Sequence, residues 1–183
     1  MSRTPPVIHG VERRDEGDGR VVEELDLEFS NGERRRYRRV IAQGPGAVIV
    51  VAMPDPDHVL LVREYAAGVN RYELGPVKGA IDPGETPEEA ANRELKEEAG
   101  FGARDVRVLR TLSLSPSYMT HHADIVLARD LYPERLEGDE PEPLEVVRWP
   151  IADLGELVLR DDMSDGRAMA ALYIAREWLA RQA

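Results

Sequence analysis

The segment 86–100 carries a complete set of helix-boundary signals, and it constrains the fold more strongly than any other feature of the sequence. Thr86 suits the N-cap position, and Pro87 suits the first helical position. Glu89 completes a Thr-x-x-Glu capping box, in which two side chains bond each other's backbone N–H groups. Gly100 suits the left-handed residue that follows a helix. The sequence therefore predicts one helix with both ends fixed.

The C-terminal half of this predicted helix carries an unfavourable cluster of carboxylates. Glu94, Glu97 and Glu98 are three or four residues apart, or adjacent, so they lie near one face. The backbone dipole is negative at this end, and each acidic residue there costs roughly 0.3–1 kcal/mol. The opposite stripe, which we expect to be buried, consists of Ala91, Leu95 and Ala99. A solvated acidic face, partly neutralised by Arg93, would explain the helix taken alone.

The residues around the helix follow a spacing that is more specific than its charge. The series runs Gly79, Glu85, Arg93-Glu94-Leu95, Glu97-Glu98, Gly100 and the apolar Phe101. A chance match to such a series has a probability on the order of 10⁻⁵, because each residue type supplies on the order of a tenth of a typical chain. The series resembles the Nudix box, and the chain is identified by it as a member of the Nudix hydrolase family. That motif more often ends in a bulky aliphatic residue than in Phe101, a departure that we expect to affect packing only.

Resemblance to Nudix hydrolases implies a site for divalent cations on this helix and the preceding loop. Oxygen ligands suit Mg²⁺ or Mn²⁺, and bound ions allow an acidic cavity to hold a pyrophosphate while water attacks phosphorus. The implied metal ligands are Glu94, Glu98, Glu97, Glu142 and a backbone carbonyl at or near Gly79, the neighbouring Lys78 being the alternative. Glu97 is alternatively a proton acceptor. Arg93 and Glu85 are implied mainly to orient the other groups.

Other segments resemble the branch of the family that hydrolyses ADP compounds. These segments are residues 72–79, 81–85, 90–98, 115–118, 131–134, 136–143, 147–150 and 176–179. Pro116 lies sixteen residues after Gly100, as in ADP-ribose pyrophosphatases, and Tyr118 lies eighteen residues after it, as in dinucleoside polyphosphate hydrolases. Both are predicted substrate-binding residues, with the Tyr118 ring able to stack on a purine. A strand-to-loop turn is the plainer function of this segment.

A second acidic cluster precedes the predicted strand 144–149. Related ADP-ribose hydrolases carry a Glu-x-Glu sequence in the equivalent loop, and Glu140-Pro-Glu142 matches it. We therefore predict Glu140 as the favoured general base and Glu142 as the additional metal ligand. The sequence does not decide between Glu140 and Glu97 as the base, since that choice depends on which carboxylate reaches the attacking water.

Two arginines flank the loop before the box. Arg63 and Arg71 are predicted to bind substrate phosphates bidentately, with Glu73 orienting one of them. The alternative is that both are ordinary solvated charges.

The rest of the chain predicts a mixed α and β fold. Apolar residues of one parity and the Asn31-Gly32 turn predict an N-terminal hairpin, whereas residues 1–19 predict an irregular or docked segment. Further strands are predicted at 47–53, 59–62, 106–113, 124–128 and 144–149, and further helices at 151–159 and 167–181. The resemblance implies an α/β/α Nudix sandwich with a mixed sheet, plus a small N-terminal antiparallel sheet. We divide the chain into an N-terminal β element, 1–43, with a dimerisation role, and a Nudix hydrolase domain, 44–183.

Composition limits the partners and the compartment. The 35 acidic residues outnumber the 24 basic ones and give a formal charge of −11, which excludes a broad basic surface for polymeric nucleic acid. There are no cysteines, residues 1–20 are polar and carry no apolar signal core, and no apolar run is long enough to span a membrane. We expect a cytoplasmic protein. The resemblance also implies a homodimer in which the N-terminal sheet helps to build the substrate pocket, with a contribution from residues 35–39.

The implied activity is Mg²⁺-dependent hydrolysis of the pyrophosphate in ADP-containing small molecules. The resemblance implies ADP-ribose, NADH and short diadenosine polyphosphates as substrates and AMP or another nucleoside monophosphate as product. One alternative is a dedicated ADP-ribose or ADP-sugar pyrophosphatase. Another is a nucleotide-sensing binding module, but such modules commonly lose a box carboxylate, and this chain keeps Glu94, Glu97 and Glu98.

Overall fold

The computed structural model describes residues 3–17 and 20–182, and they form two compact units. The N-terminal unit comprises Met1–Gly44 and Ser113–His122. The larger unit comprises Pro45–Leu112 and Ala123–Ala183. Within the described part of the chain, no helix is both long enough and apolar enough to cross a membrane.

The N-terminal unit contains a three-stranded antiparallel sheet. Its strands, in spatial order, are β1 (Val7–Asp15), β2 (Val21–Glu28) and β3 (Arg34–Ile41). The predicted hairpin is confirmed by β2 and β3, and Gly32 has the positive φ of 82° that their turn requires. The sequence predicted an irregular or docked segment before the hairpin, but Val7–Asp15 form strand β1. Its side chains are almost all exposed, so the strand lacks the alternating apolar pattern that sequence reasoning relies on.

The larger unit is built on a seven-stranded mixed sheet. Its strands are β4 (Ala47–Asp55), β5 (His58–Ala66), β6 (Arg71–Gly75), β7 (Val77–Ala80), β8 (Phe101–Ser113), β9 (His122–Pro133) and β10 (Glu145–Pro150). The main order is β10-β5-β4-β9-β8, with β6 paired to β5 and β7 paired to β4. Strand β4 pairs with β9 in parallel and with β5 and β7 antiparallel. The sheet is mixed, as the resemblance implied.

Apolar side chains on both faces of β4 explain its central position. Val48 and Val50 are completely buried on the face that packs against the box helix, and Val51 is completely buried on the other face. A strand that is buried on both faces carries a continuous apolar run, which is why the sequence predicted it well.

Three helices and two irregular helical turns cover the sheet. They are α1 (Pro87–Glu94), a π-helical turn (Leu95–Ala99), a 3-10 turn (Ile151–Asp153), α2 (Leu154–Leu157) and α3 (Gly166–Ala180). The predicted C-terminal helix is confirmed by α3. The helix predicted at 151–159 is confirmed over residues 151–157, where it consists of a 3-10 turn followed by one α-helical turn. The α/β/α sandwich expected from the resemblance is confirmed.

Candidate active site

The start of α1 is fixed by the predicted capping box. The Thr86 hydroxyl accepts a hydrogen bond from the Glu89 backbone N–H at 3.2 Å, and the Thr86 backbone N–H donates to the Glu89 carboxylate at 2.8 Å. At the other end, Gly100 adopts the predicted left-handed conformation with φ of 75°. Ala91, Leu95 and Ala99 are buried, as the stripe predicted. These features anchor the helix that carries the box carboxylates.

The second half of the box helix is a π-helical turn, Leu95–Ala99, rather than the continuation of an α-helix. A π turn bonds residues five apart and occurs frequently at functional sites. It therefore changes the direction in which Glu97 and Glu98 project compared with a regular helix. Propensity and spacing carry no signal for such a turn, so the sequence analysis missed it.

A cavity of about 530 Å³ lies beside this helix within the larger unit. Its lining includes eight carboxylate residues, namely Glu64, Asp82, Glu94, Glu97, Glu98, Glu137, Asp139 and Glu140. The basic residues of the lining are Lys78 and Arg93. The acidic face of the helix is thus directed into a cavity and not into open solvent. Such an excess of negative charge would repel a phosphate unless cations lay between them.

Arg93 organises the carboxylates of this cavity. Its guanidinium donates to Glu85 at 2.9 Å, to Glu94 at 2.8 Å and to Glu97 at 3.0 Å. It also donates to the Ala80 carbonyl at 2.9 Å, which ties the helix to the end of β7. The hydrogen bond with Glu85 and the neighbouring carboxylates raise the pKa of Arg93, so the guanidinium stays charged. Arg93 and Glu85 are therefore placed where they can orient the other side chains.

Glu98 is the most unusual group in the cavity. Only 3% of the residue is exposed, and burial raises the pKa of its carboxyl to about 8. Its Oε2 is buried, and no residue in the described ranges hydrogen-bonds to it. Burial also raises the pKa of Glu94, which is 9% exposed. A buried carboxylate without a donor is costly unless another partner, such as a cation, satisfies it.

The backbone at Gly79 approaches the Glu94 carboxylate closely. A Cβ at position 79 would lie 2.0 Å from Glu94 Oε1, so any larger residue here would displace the Glu94 carboxylate from its present position. The buried orphan oxygen, the cluster of hard oxygen atoms and this glycine together form a set that fits a divalent cation. Glu94 and Glu98 with the carbonyl near Gly79 are the groups that would hold it.

The side chains are not arranged around a preformed ion centre. Throughout residues 3–17 and 20–182, no three His, Asp or Glu side chains lie close enough together to hold a metal ion as they stand. The Arg93 guanidinium donates hydrogen bonds to both Glu94 and Glu97, so these two carboxylates point at the guanidinium. Binding of a metal ion would therefore require one or more of these side chains to rotate.

Glu140 and Glu142 of the second acidic loop were both predicted to act at the site, but their side chains lie in different surroundings. Glu140 lines the cavity, and a Cβ at Gly138 would lie 2.5 Å from Glu140 Oε2 and 3.4 Å from Glu97 Cβ. Gly138 therefore allows the loop to approach the box helix. Glu142 does not line the cavity and instead accepts a hydrogen bond from the Tyr72 hydroxyl. The structure thus brings Glu140, but not Glu142, to the other carboxylates.

The side chains of Glu64 and Lys78 were not among the predicted site residues. Both line the cavity, and they form an ion pair with each other. Lys78 also exerts a favourable charge interaction on Glu98 that opposes the effect of burial on its pKa. A pattern search could have indicated Lys78, which directly precedes Gly79, but Glu64 lies on a separate strand and carried no signal.

The predicted phosphate-binding arginines already have acidic partners. Arg63 donates to Glu145 at 2.9 Å and to Asp162 at 2.7 Å, and these bonds raise its pKa. Arg71 bonds Glu73, and Glu73 also accepts hydrogen bonds from Ser164. None of Arg63, Arg71 and Glu73 belongs to the lining of the carboxylate-lined cavity beside the box helix.

Pro116 and Tyr118 lie in the N-terminal unit. The segment that contains them runs beside β3, where the Tyr118 carbonyl accepts a hydrogen bond from the Val40 N–H at 2.7 Å. Pro116 lines a cavity of about 330 Å³ within this unit, together with Tyr37 and Arg39. The Tyr118 side chain is 56% exposed, so one of its faces is accessible.

Comparison with known proteins agrees with the fold and the box. The NUDIX domain family matches residues 43–172, and the NudE-type Nudix hydrolase N-terminal domain matches residues 6–39. The sandwich and its carboxylate-lined cavity therefore define a pyrophosphohydrolase, and the chain belongs to the Nudix hydrolase family. Its N-terminal strands place it with the NudE-type members. Nudix hydrolases generally use divalent metal cations.

Individual relatives support the same assignment. The chain is 55% identical over 162 residues to the ADP compounds hydrolase NudE of Escherichia coli K12, covering 88% of this chain and 87% of that protein. It is 30% identical to the ADP-ribose pyrophosphatase of Bacillus subtilis 168 over 80% of each chain. A crystal structure of an ADP compounds hydrolase matches with a TM-score of 0.84 at 50% identity, covering 100% of this chain and 98% of that one.

Proposed function

We propose that this protein hydrolyses the pyrophosphate bond of ADP-containing small molecules with the help of Mg²⁺ or Mn²⁺. The substrates are ADP-ribose, NADH and short diadenosine polyphosphates, and the products include AMP or another nucleoside monophosphate. The Escherichia coli relative is an ADP compounds hydrolase, which supports this substrate class. A cytoplasmic location is part of the same proposal.

The observation that carries the proposal is the buried, unpartnered oxygen of Glu98. A fold selected for stability alone would pair or expose this carboxylate, because an isolated buried charge is expensive. Its position among other hard oxygen ligands supports a role in holding a cation. These residues would hold a divalent cation, which would supply electrostatic stabilisation of the charge that develops as water attacks phosphorus.

The side chains of this protein would divide the remaining work. Glu94 and Glu98 hold the cation with the carbonyl near Gly79, and Arg93 holds the carboxylates in place. Glu140 is the favoured general base, because it lines the cavity together with the carboxylates of the box helix. Glu97 is the alternative base, but its Oε2 already accepts from Arg93 at 3.0 Å. Glu142 can act as an additional ligand only if the loop moves it away from Tyr72.

A second candidate is a dedicated ADP-ribose or ADP-sugar pyrophosphatase. Relatives named as an ADP-ribose pyrophosphatase at 30% identity and as GDP-mannose pyrophosphatases at 29–32% identity favour it. It differs from the main proposal in one respect, since it would show little turnover of NADH and diadenosine compounds.

We also propose that the protein is a homodimer assembled through the N-terminal unit. Strand β1 is an edge strand, and Val7, Ile8 and Val11 on it are 59%, 54% and 51% exposed. An edge strand with exposed apolar side chains is suited to pairing with another chain. Residues 35–39 on β3 lie in the same unit, where Arg35 pairs with Glu33 and Arg39 with Glu23.

The test is a product-resolved assay of ADP-ribose, NADH and diadenosine triphosphate with Mg²⁺, with Mn²⁺ and after chelation. We expect cleavage of all three with metal and none after chelation. Glu98→Gln should lower kcat by about a hundredfold or more, because it removes a cation ligand. Glu156→Gln, which changes an exposed carboxylate outside the cavity, is the matched control. Full activity of Glu98→Gln, or of the chelated enzyme, would contradict the proposal.

The same assay separates the two candidate bases. Glu140→Gln should lower kcat by about a hundredfold or more if its carboxylate removes the proton. Glu97→Gln should then lower kcat less. The reverse order would assign the base to Glu97 instead.

A further inference from the structure

The chain contains two lysines, and each forms an ion pair with a glutamate. Lys78 pairs with Glu64, and both residues line the carboxylate-lined cavity beside the box helix. Lys96 pairs with Glu134 at 3.0 Å, and neither of these residues belongs to that lining. Of the two lysines, Lys78 alone therefore places an ammonium group among the carboxylates that would hold a cation. Like charges repel, so this ammonium and a bound cation would oppose each other.

The Lys78 side chain begins beside the groups that would hold the cation. Its backbone lies on β7, where Lys78 pairs in register with Ile49 of β4. The next residue is Gly79, whose backbone lies against the Glu94 carboxylate. A lysine ammonium is a compact charge on a flexible stem, and its three donors can turn from one acceptor to another. The sheet thus fixes the Lys78 backbone, while the charge at the end of the side chain can move.

Glu64 and Glu98 are the two carboxylates that bear on the position of this ammonium. Glu64, on β5, accepts a hydrogen bond from the Lys78 ammonium. Glu98 Oε2, by contrast, is buried and has no hydrogen-bond partner among the described residues. The charges of Lys78 and Glu98 nevertheless interact, because burial raises the pKa of Glu98 and the Lys78 charge acts in the opposite direction. The ammonium therefore lies near Glu98 but is directed at Glu64.

A plainer role for this lysine would be to offset repulsion within the sheet. Glu64 pairs in register with Glu73 of β6, and like charges in directly opposite positions are unfavourable. Glu73 is already compensated, however, since it accepts hydrogen bonds from Arg71 and Ser164. Sheet stability also does not explain why a buried carboxylate lacks a donor beside an available ammonium, because pairing the two would lower the cost of burial.

We propose that Glu64 is a positioning residue that holds the Lys78 ammonium away from Glu98, so that the space beside this buried carboxylate stays open to a divalent cation. Without the Glu64 charge, the ammonium would turn to Glu98 and compete with the cation for it. With the charge in place, Lys78 opposes the cation only through repulsion at a distance. The inference rests on the proposed function, because it presupposes that Glu98 holds a cation. It assigns control of cation affinity to two side chains that are not themselves ligands of the ion.

The test is a double-mutant cycle on the Glu64–Lys78 pair, with the Kd of Mn²⁺ in the absence of substrate as the readout. Electron paramagnetic resonance of the free ion measures this Kd at a fixed pH. Glu64→Gln should weaken Mn²⁺ binding about tenfold, because Lys78 then pairs with Glu98. Lys78→Met should tighten binding about threefold, because it removes the repulsion and keeps the backbone carbonyl. In the Lys78→Met background, Glu64→Gln should change the Kd by at most about threefold.

The difference between the two backgrounds separates positioning from other roles of Glu64. If Glu64 were itself a ligand, or only added negative charge to the cavity, Glu64→Gln would weaken Mn²⁺ binding equally with and without Lys78. That result would overturn the inference. Thermal unfolding with a chelator present establishes that each variant is folded. If Glu64→Gln does not fold, Lys78→Met decides alone, and unchanged or weaker Mn²⁺ binding by it overturns the inference.

The second lysine–glutamate pair of the chain supplies matched controls. Lys96→Met and Glu134→Gln make the same chemical changes at an ion pair outside the cavity. Both should keep the wild-type Kd for Mn²⁺. Shifts in these controls as large as those at Glu64 and Lys78 would mean that overall charge sets the affinity, which would overturn the inference.

The inference and the proposed function fail in different ways. If the wild type binds Mn²⁺ and cleaves ADP compounds, but Glu64→Gln keeps the wild-type Kd, the inference is overturned and the proposed function stands. If the wild type binds no Mn²⁺, the metal-dependent function fails, and the inference is overturned with it.

Discussion

At the scale of single residues, Glu98 links the stability of the protein to pH. Burial raises its folded-state pKa to about 8 from an ordinary value of 4.5, so the folded protein holds this proton more tightly than the unfolded chain does. The stabilising effect of the bound proton is complete below about pH 4.5. It is lost as pH rises through about 8.

We therefore expect the metal-free protein to lose unfolding free energy between about pH 5 and pH 8 as Glu98 ionises. Glu98→Gln, which cannot ionise, should flatten the profile in this window. Urea titrations at several pH values, with a chelator present, measure the effect, and Glu156→Gln again serves as the control. An identical profile for Glu98→Gln and the wild type would show that Glu98 is not the group responsible. Saturating Mg²⁺ should reduce the loss, because a cation favours the ionised carboxylate.

At the scale of elements, the cap of α1 holds the box in place. The Thr86 hydroxyl satisfies the Glu89 N–H, and its removal leaves one end group of the helix without a partner. Thr86→Ala should destabilise the protein by about 1 kcal/mol in denaturant titrations. Thr4→Ala, at an exposed threonine before β1, should change stability much less. Equal stability of the two variants would mean that the capping box contributes nothing measurable.

Local signals explain which elements could be predicted from the sequence. The capped helix and the doubly buried β4 were predicted because their residues follow rules of short range. Strands β1, β6 and β7 were missed, since β1 is exposed and the other two are only five and four residues long. The π-helical turn at Leu95–Ala99 was missed because no short-range pattern encodes it.

The candidate site shows the same limit. Residues of the box were predicted from spacing within one segment, and the structure brings Glu94, Glu97 and Glu98 to one cavity. Spacing within one segment does not predict contacts between residues that are distant in the sequence. Arg63 bonds Asp162, which is 99 positions away, and Tyr72 bonds Glu142, which is 70 positions away. Because of these two contacts, the side chains of Arg63 and Glu142 bond other residues and do not line the cavity with the box carboxylates.

At the scale of the whole molecule, the open question is how the exposed face of the N-terminal sheet is used. Val11 pairs in register with Leu25 of β2, yet it is 51% exposed although it is apolar. If a second copy of the chain covers β1, an acidic substitution there places a charge in an apolar interface, which is unfavourable. Val11→Glu combined with Val7→Asp should therefore shift a dimer towards the monomer.

Light scattering after size-exclusion chromatography measures this shift directly, over a range of protein concentrations. Leu159→Asp is the matched control, because Leu159 is an apolar residue of the larger unit that is 84% exposed. Replacing it adds one negative charge, against two in the β1 variant, without touching β1. A wild-type monomer, or a dimer that persists unchanged in the β1 variant, would contradict the proposed assembly. A cooperative thermal transition of the β1 variant would establish that its change of mass reflects lost association and not unfolding, because lost association by itself lowers the melting temperature without abolishing the transition.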